Sequence, residues 1–127
     1  MPDADGLIAH AVEIVAISEV EPLLVDHPAV FMPFTERELG YARSKTDPAR
    51  RLAARLAAKR AACALLGPEV TLADFEVMPA LAGPPFLRLS PRAGERLLAR
   101  GANRVLLSLT HGQTHAAASV LIAGDAS

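Results

Sequence analysis

The feature that most constrains the fold is a long alanine-rich segment in the middle of the chain. Residues 49–66 read ARRLAARLAAKRAACALL, almost all of them good helix formers, and Gly67-Pro68 follows. Because glycine and proline end helices, we predict a helix that stops at this dipeptide. Its long apolar residues should share one face with a single cation; this row consists of Leu52, Leu56, Arg60 and Cys63. A guanidinium in such a row either reaches solvent or meets a carboxylate.

The other segments predict strands and shorter helices, in the order β-α-α-α-β-β-α-β-β. The apolar, β-branched run 7–17 predicts a buried strand, and Thr35 followed by Glu38 is a capping box that opens a helix towards Arg43. We further predict helices at 18–24 and 90–100, a loop at 26–33, and strands at 75–78, 86–89, 104–110 and 116–122. Hairpin-connected strands with helices in blocks indicate an α+β fold, which we expect to form one domain over residues 1–127.

Composition excludes several classes of protein. The net charge of -1 gives no overall field that would attract nucleic acid or an anionic membrane, so neither is an expected partner. Cys63 is the only cysteine, which excludes an internal disulfide and suits a cytoplasmic location. No apolar run reaches membrane-spanning length, and the acidic N-terminal residues do not suit an export signal. Aromatic residues make up only 4%, and a core so poor in large side chains often gains from self-association.

Four regions, in this order, resemble the small phosphopantetheinyl transferases that load acyl carrier proteins, the holo-acyl-carrier-protein synthases. They are EIVAISEVE (13–21), RLAARLAAKRAACALLG (51–67), DFEV with GPPFLRL (74–77 and 83–89), and LLSLTHGQTHAAASVLI (106–122). The resemblance implies the phosphopantetheinyl transferase-like α+β fold, with an antiparallel sheet packed with helices, and a homotrimer with sites between subunits. It also implies coenzyme A as a substrate, an acyl carrier protein as partner, and a role in fatty acid or polyketide biosynthesis.

The chain departs from this family pattern at the metal site. The strand aspartate that ligates Mg²⁺ in the family corresponds to Glu13, or to His10 if the first region is aligned three residues earlier. The second ligand, a helix glutamate, corresponds to Arg60, and a lysine four positions later corresponds to Ala64. The arginine that docks the carrier corresponds to Glu19. Because an arginine repels Mg²⁺, we expect no metal at this site and a weak or lost magnesium-dependent transfer.

Several residues of the family motifs remain, and these are the candidate site residues. The candidates for binding coenzyme A are Arg55, Lys59, Ser108 and His111. The candidate catalytic residues are Glu13, Arg60 and His111. We expect Glu13 and Arg60 to form an ion pair in the space that the metal occupies in the family, because two buried opposite charges left apart would each be costly. The basic segment 50–60 either binds coenzyme A phosphates or an acidic carrier helix, or is a solvated face.

Three functions remain open at the level of sequence. The first is a divergent holo-acyl-carrier-protein synthase with an altered site. The second is a metal-free acid/base enzyme that uses Glu13 and His111 on a carrier-tethered or polyketide substrate, as a dehydratase, isomerase or cyclase. The third is a non-catalytic relative that binds the carrier protein. We interpret His10 and His115 as surface or packing residues, and Cys63 as part of the core.

Overall fold

The computed structural model describes residues 6–25 and 33–125. Its helices are α1 (Ile17–Val25), α2 (Glu36–Arg43), α3 (Pro48–Leu66) and α4 (Pro91–Ala99). Its strands are β1 (Leu7–Ala16), β2 (Phe75–Met78), β3 (Phe86–Leu89), β4 (Arg104–His111) and β5 (His115–Ala123). The predicted helices and strands are confirmed in position within a few residues, and the α+β class with them; a short 3₁₀ helix, Leu72–Asp74, was not predicted. The prediction that β1 is buried is wrong, because alternate residues of this strand, among them Val12 and Ile14, are exposed on one face of the sheet. The predicted loop at 26–33 lies outside the described residues except for Pro33.

The main sheet has three antiparallel strands in the order β1-β5-β4, and β2 pairs with β3 in a separate hairpin. In the main sheet Glu13 lies opposite Ala118, which in turn lies opposite Leu109. Side chains directly opposite each other in a sheet point to the same face. The register therefore decides which residues of β1 and β4 share a face with the buried alanines of β5.

Helix α3 is the centre of the molecule and packs on one face of this sheet. Every residue from Leu52 to Lys59 is buried, because the sheet, α1, α2 and the β2–β3 hairpin surround the helix. The helix is therefore enclosed on more sides than the predicted row of Leu52, Leu56, Arg60 and Cys63, which its small alanine side chains make possible. The helix ends as predicted at Gly67, where a Cβ would lie 2.7 Å from the carbonyl oxygen of Cys63.

The opposite face of the sheet is not covered by α3. On this face Val12 is 57% exposed, Ile14 is 66% exposed and Leu106 is 49% exposed. Single exposed apolar side chains are ordinary, but these three lie on the same face of one sheet, on the strands that flank β5. None of the helices in the described ranges has the length and apolar character that a membrane span requires.

A buried ion pair joins α2 to α3. The Nζ of Lys59 lies 2.5 Å from Oε1 of Glu38, and both residues are 1% exposed. Lys59 also donates to the carbonyl oxygen of Pro33 at 2.6 Å, and the backbone N–H of Val77 donates to Oε2 of Glu38 at 2.8 Å. Burial lowers the pKa of Lys59, and the charge and hydrogen bond of Glu38 oppose that shift.

Glu38 is also the residue that the capping box identifies. The side chain of Thr35 accepts a hydrogen bond from the backbone N–H of Glu38, and Glu38 in return accepts one from the backbone N–H of Thr35. One carboxylate therefore caps α2, neutralises Lys59 and satisfies a backbone donor of β2. The position of α2 depends on it.

Asp74 fixes the approach to the β2–β3 hairpin. Its carboxylate accepts hydrogen bonds from Oγ of Ser90 at 2.6 Å, from the backbone N–H of Thr71 at 2.8 Å and from Arg92 at 2.9 Å. Burial raises the pKa of Asp74, but these hydrogen bonds and the charge of Arg92 outweigh it and lower the pKa to about 2. The ionised form of Asp74 is thus the one that stabilises this part of the fold.

Replacing Lys59 with Met should lower the free energy of unfolding by about 3 kcal/mol, because it leaves the buried Glu38 carboxylate without its counter-charge. The double variant Lys59→Met/Glu38→Gln should recover part of this loss, since a neutral amide oxygen still accepts from Val77. Urea unfolding measures these two variants and the single variant Glu38→Gln. Lys45→Met, at an exposed position, serves as the control and should change stability by less than about 0.5 kcal/mol. A double variant that loses the sum of the two single effects would contradict the pairing.

The stabilisation by Asp74 should depend on pH in a defined direction. Because its pKa falls from 3.8 to about 2 on folding, its contribution is complete above about pH 4 and is lost as the pH falls towards 2. The difference in urea midpoint between the wild type and Asp74→Asn should therefore be large at pH 7 and shrink steadily below pH 4. A difference that stays constant down to pH 2.5 would show that the carboxylate is not held ionised.

Candidate functional site

A cavity of about 280 Å³ lies where α2 and α3 meet the end of β4 and the segment after β2. Its walls are formed by Tyr41, Arg51, Ala54, Arg55, Pro79, Ala80, Gly83, Pro85, Leu109 and His111. Two of the predicted coenzyme A-binding residues, Arg55 and His111, are therefore brought together from distant parts of the sequence. The cavity combines cationic and apolar walls, which suits a ligand that carries both phosphate and uncharged groups.

Arg55 is the most unusual residue of this cavity because it is charged and only 4% exposed. Its Nη1 donates to the carbonyl oxygen of Arg51 at 3.3 Å, and its Nε is buried without a hydrogen-bond partner among the described residues. The guanidinium lies 4.4 Å from the centre of the Tyr41 ring. Burial lowers the pKa of Arg55, and the neighbouring Tyr41 and Glu38 partly oppose this shift. An arginine remains protonated in such surroundings, so the cavity wall keeps its positive charge.

His111 ends β4 and is exposed. It lies opposite the buried Ala116 of β5, so it sits on the face of the sheet that carries α3. It also borders a second cleft, with Ile14 and Thr110, at the edge of the same strands. His111 is therefore accessible both to a ligand in the cavity and to a molecule that approaches the uncovered face.

The other two predicted coenzyme A-binding residues do not line the cavity. The ammonium group of Lys59 is buried against Glu38, where it has a structural role. Ser108 is exposed and lies opposite Ser119 of β5, on the uncovered face of the sheet. Only Arg55 and His111 of the predicted set share one site in this chain.

The predicted ion pair between Glu13 and Arg60 does not form within the chain. Arg60 instead binds Glu19, with Nη2 against one carboxylate oxygen and Nη1 3.3 Å from the other. Helix α1 packs along α3 and brings Glu19, in its first turn, to the half-exposed side of α3. The hydrogen bond from Arg60 lowers the pKa of Glu19. The residue that meets Arg60 within the chain lies on α1, the helix after β1, and not on β1 itself as predicted.

Glu13 is half-buried on the face of β1 that carries α3. His111 lies on the same face, two strands and two residues away, which corresponds to about 12 Å between the two Cα atoms. No hydrogen bond joins the two side chains, both of which belong to the described part of the chain. The two candidate catalytic residues thus share a face without forming a pair.

The donor set does not fit a magnesium ion at the position that the resemblance indicates. Arg60 presents a cation there, and its carboxylate neighbour Glu19 is already engaged with it. Within residues 6–25 and 33–125, no three His, Cys, Asp or Glu side chains are grouped in a way that could hold a metal ion. Mg²⁺ requires oxygen ligands with compensating negative charge, which this arrangement does not supply.

Sequence reasoning included Arg51 only as part of the basic segment 50–60, and it missed Tyr41. The spacing of Arg51 from Arg55 places both on one side of a helix. Tyr41 carries no sequence signal, since its contact with Arg55 depends on how α2 packs against α3. Of the other residues considered, Cys63 is half-buried and burial raises the pKa of its thiol, whereas His10 and His115 are exposed.

Comparison with known proteins gives consistent results for sequence and structure, although no family model matches the chain. A holo-acyl-carrier-protein synthase of Treponema denticola is 38% identical over 122 residues, covering 93% of this chain and 99% of that protein. One from Thermus thermophilus is 38% identical over 119 residues, covering 91% of this chain and 93% of its own length.

Among solved structures, a Bacillus anthracis holo-acyl-carrier-protein synthase in complex with CoA (3′,5′-ADP) superposes with a TM-score of 0.73 at 24% identity. The match covers 94% of this chain and 99% of that one. The structural similarity establishes the fold, and the sequence identity over nearly the whole length of the curated relatives establishes the family. The chain belongs to the holo-acyl-carrier-protein synthase family.

Proposed function

We propose that this protein binds the nucleotide end of coenzyme A in the cavity beside Arg55 and acts together with an acyl carrier protein, while its magnesium-dependent phosphopantetheinyl transfer is weak or lost. The observation that carries the proposal is the pairing of Arg60 with Glu19. It places a neutralised cation at the position where the resemblance indicates a metal-binding carboxylate. This chain therefore keeps the binding of coenzyme A but not an efficient transfer of phosphopantetheine.

The charge of the cavity supports the binding of a phosphorylated nucleotide. Arg55 and Arg51 both line it, and guanidinium groups bind phosphate oxygens with paired, charge-assisted hydrogen bonds. Asp47 lies 3.1 Å from Nε of Arg51 and neutralises part of its charge, so Arg55 is the stronger anchor. The Bacillus anthracis relative was solved with CoA (3′,5′-ADP), which is a ligand of this chemistry.

The transfer step is where the chain differs. A phosphoester to the carrier serine must form while a bond of the coenzyme A pyrophosphate breaks, and negative charge builds up on the leaving phosphate. Stabilisation of that charge supplies most of the catalysis in phosphoryl transfer. Arg60 is held by Glu19, and Ala64 stands where the family has a lysine, so this chain provides less positive charge near the reacting group.

Partnership with an acyl carrier protein and with further copies of the chain belongs to the same proposal. The uncovered apolar face of the main sheet, with Val12, Ile14 and Leu106, supports self-association. A homotrimer of one-domain subunits that associate through this face would bury it. Cytoplasmic assembly is consistent with the single half-buried cysteine.

Transfer of phosphopantetheine to an apo-acyl carrier protein, followed by mass spectrometry with and without Mg²⁺, tests the proposal. The wild type should be at least about 100-fold slower than a holo-acyl-carrier-protein synthase assayed beside it, because metal stabilisation of the transition state is worth several kcal/mol. The triple variant Glu19→Arg/Arg60→Glu/Ala64→Lys reverses the polarity of the pair and restores the family residues at these three positions, with Glu13 kept as the carboxylate of β1. It should gain magnesium-dependent transfer.

Arg60→Gln is the matched control, since it removes the cation without adding a carboxylate, and it should gain none. Fast magnesium-dependent loading by the wild type would refute the proposed loss. A wild type that neither transfers phosphopantetheine nor binds coenzyme A, yet binds the carrier protein, would instead identify a non-catalytic relative.

Light scattering at micromolar concentration should give the mass of a trimer. The substitution Ile14→Glu, on the uncovered face, should shift the protein towards monomers, because a buried charge without a partner opposes association. Leu81→Glu, at a fully exposed position after β2, is the control and should leave the mass unchanged. A monomeric wild type would contradict the proposed assembly.

A further inference from the structure

Tyr41 contributes a phenol ring to the wall of the cavity, and this ring contacts the buried cation Arg55. It lies in α2 and is half-buried. Its ring centre is 4.4 Å from the guanidinium carbon of Arg55 and 5.1 Å from Nζ of Lys45. Arg55 is buried and Lys45 is exposed, so the contact with Arg55 is the stronger of the two.

Arg55 is held by few other contacts. No carboxylate forms an ion pair with it among the described residues, because Glu38 is engaged with Lys59, and Asp47 with Arg51. Its hydrogen bond to the carbonyl oxygen of Arg51 is long, at 3.3 Å, and its Nε has no partner within residues 6–25 and 33–125. A buried guanidinium so sparsely bonded is costly to the fold, and such a group usually persists where a ligand needs it.

The geometry of α2 and α3 explains why the ring can hold this group. Tyr41 lies one turn after Glu38 along α2, and Arg55 lies one turn before Lys59 along α3. The buried ion pair therefore sets the spacing of the two helices, and the ring and the guanidinium meet at the next turn. A planar guanidinium stacked on an aromatic face loses much of its rotational freedom.

We propose that Tyr41 is a positioning residue for nucleotide binding: its ring face holds the guanidinium of Arg55 in the orientation that receives a phosphate in the cavity. The proposal rests on the proposed binding of coenzyme A. It assigns the ring face as the functional part of Tyr41, and the substitution Tyr41→Phe tests whether the hydroxyl group contributes. Lys45 has no part in this role, because its exposed ammonium group interacts only weakly with the ring.

Calorimetric titration with 3′,5′-ADP tests this assignment. Tyr41→Phe keeps the ring and should bind within about twofold of the wild type, whereas Tyr41→Met should bind about 10-fold more weakly, which is the range of a partly desolvated cation–π contact. Lys45→Ala, which removes the second cation at the ring, should change affinity by less than about threefold. Tyr41→Leu gives the same comparison if the Met variant does not fold, as judged by circular dichroism.

A double-mutant cycle shows whether Tyr41 acts through Arg55. In the background of Arg55→Met, the further change Tyr41→Met should cost no additional affinity, because the group that the ring positions is gone. Additive losses would overturn the proposal, since they would mean that the ring contacts the nucleotide itself or supports the fold in general. An equal loss in Tyr41→Phe, or in Lys45→Ala, would also overturn it.

The same titration separates this inference from the proposed function. A wild type that does not bind 3′,5′-ADP overturns both. A wild type that binds 3′,5′-ADP, with a Tyr41→Met variant that binds equally well, leaves coenzyme A binding in place and overturns only the role of Tyr41.

Discussion

The buried ion pair between Lys59 and Glu38 is the interaction on which the rest of the structure depends. It joins α2 to α3, and the same carboxylate caps α2 and accepts from β2. A pair with both members 1% exposed is costly to desolvate, so it is kept only with good geometry and full hydrogen bonding. Because its hydrogen bond allows little variation in length, the pair fixes the distance between α2 and α3 at this point. The cavity wall formed by Tyr41 and Arg55, one helical turn away, takes its shape from this spacing.

The second ion pair, Arg60 with Glu19, concerns chemistry more than stability. Both side chains are more than one-third exposed, so their attraction is screened by solvent and adds little to the fold. The pair matters because it places a positive charge at position 60 and a negative charge at position 19. Compared with the family pattern, the cation and the anion have exchanged places between α1 and α3. Such an exchange keeps the two helices joined and removes the carboxylate that a magnesium site requires. Under the proposed function, the fold and the binding cavity persist while the metal-dependent step is weak or lost.

The sequence predicted most of the local structure because helices and strands are specified by short-range patterns. The alanine-rich segment and Gly67 defined α3, and Thr35 with Glu38 defined the start of α2. Part of the site could also be predicted, because Arg55 and His111 lie in the regions that resemble the family, and both line the cavity. The sequence did not predict which side chains on different helices and strands contact each other. It identified Glu38 as a cap but not as the partner of Lys59, a contact 21 residues apart.

By itself, then, the sequence determined the elements, their order, the family and the loss of a carboxylate at position 60. Tertiary structure alone decided which face of the sheet carries Ser108 and which carries His111, because that depends on strand register and on where α3 packs. It also decided that Arg60 meets Glu19 and that Tyr41 meets Arg55. The physical reason is the same in each case. A side chain's charge and size are local properties, whereas its partner is set by the packing of helices and strands that are distant in the sequence.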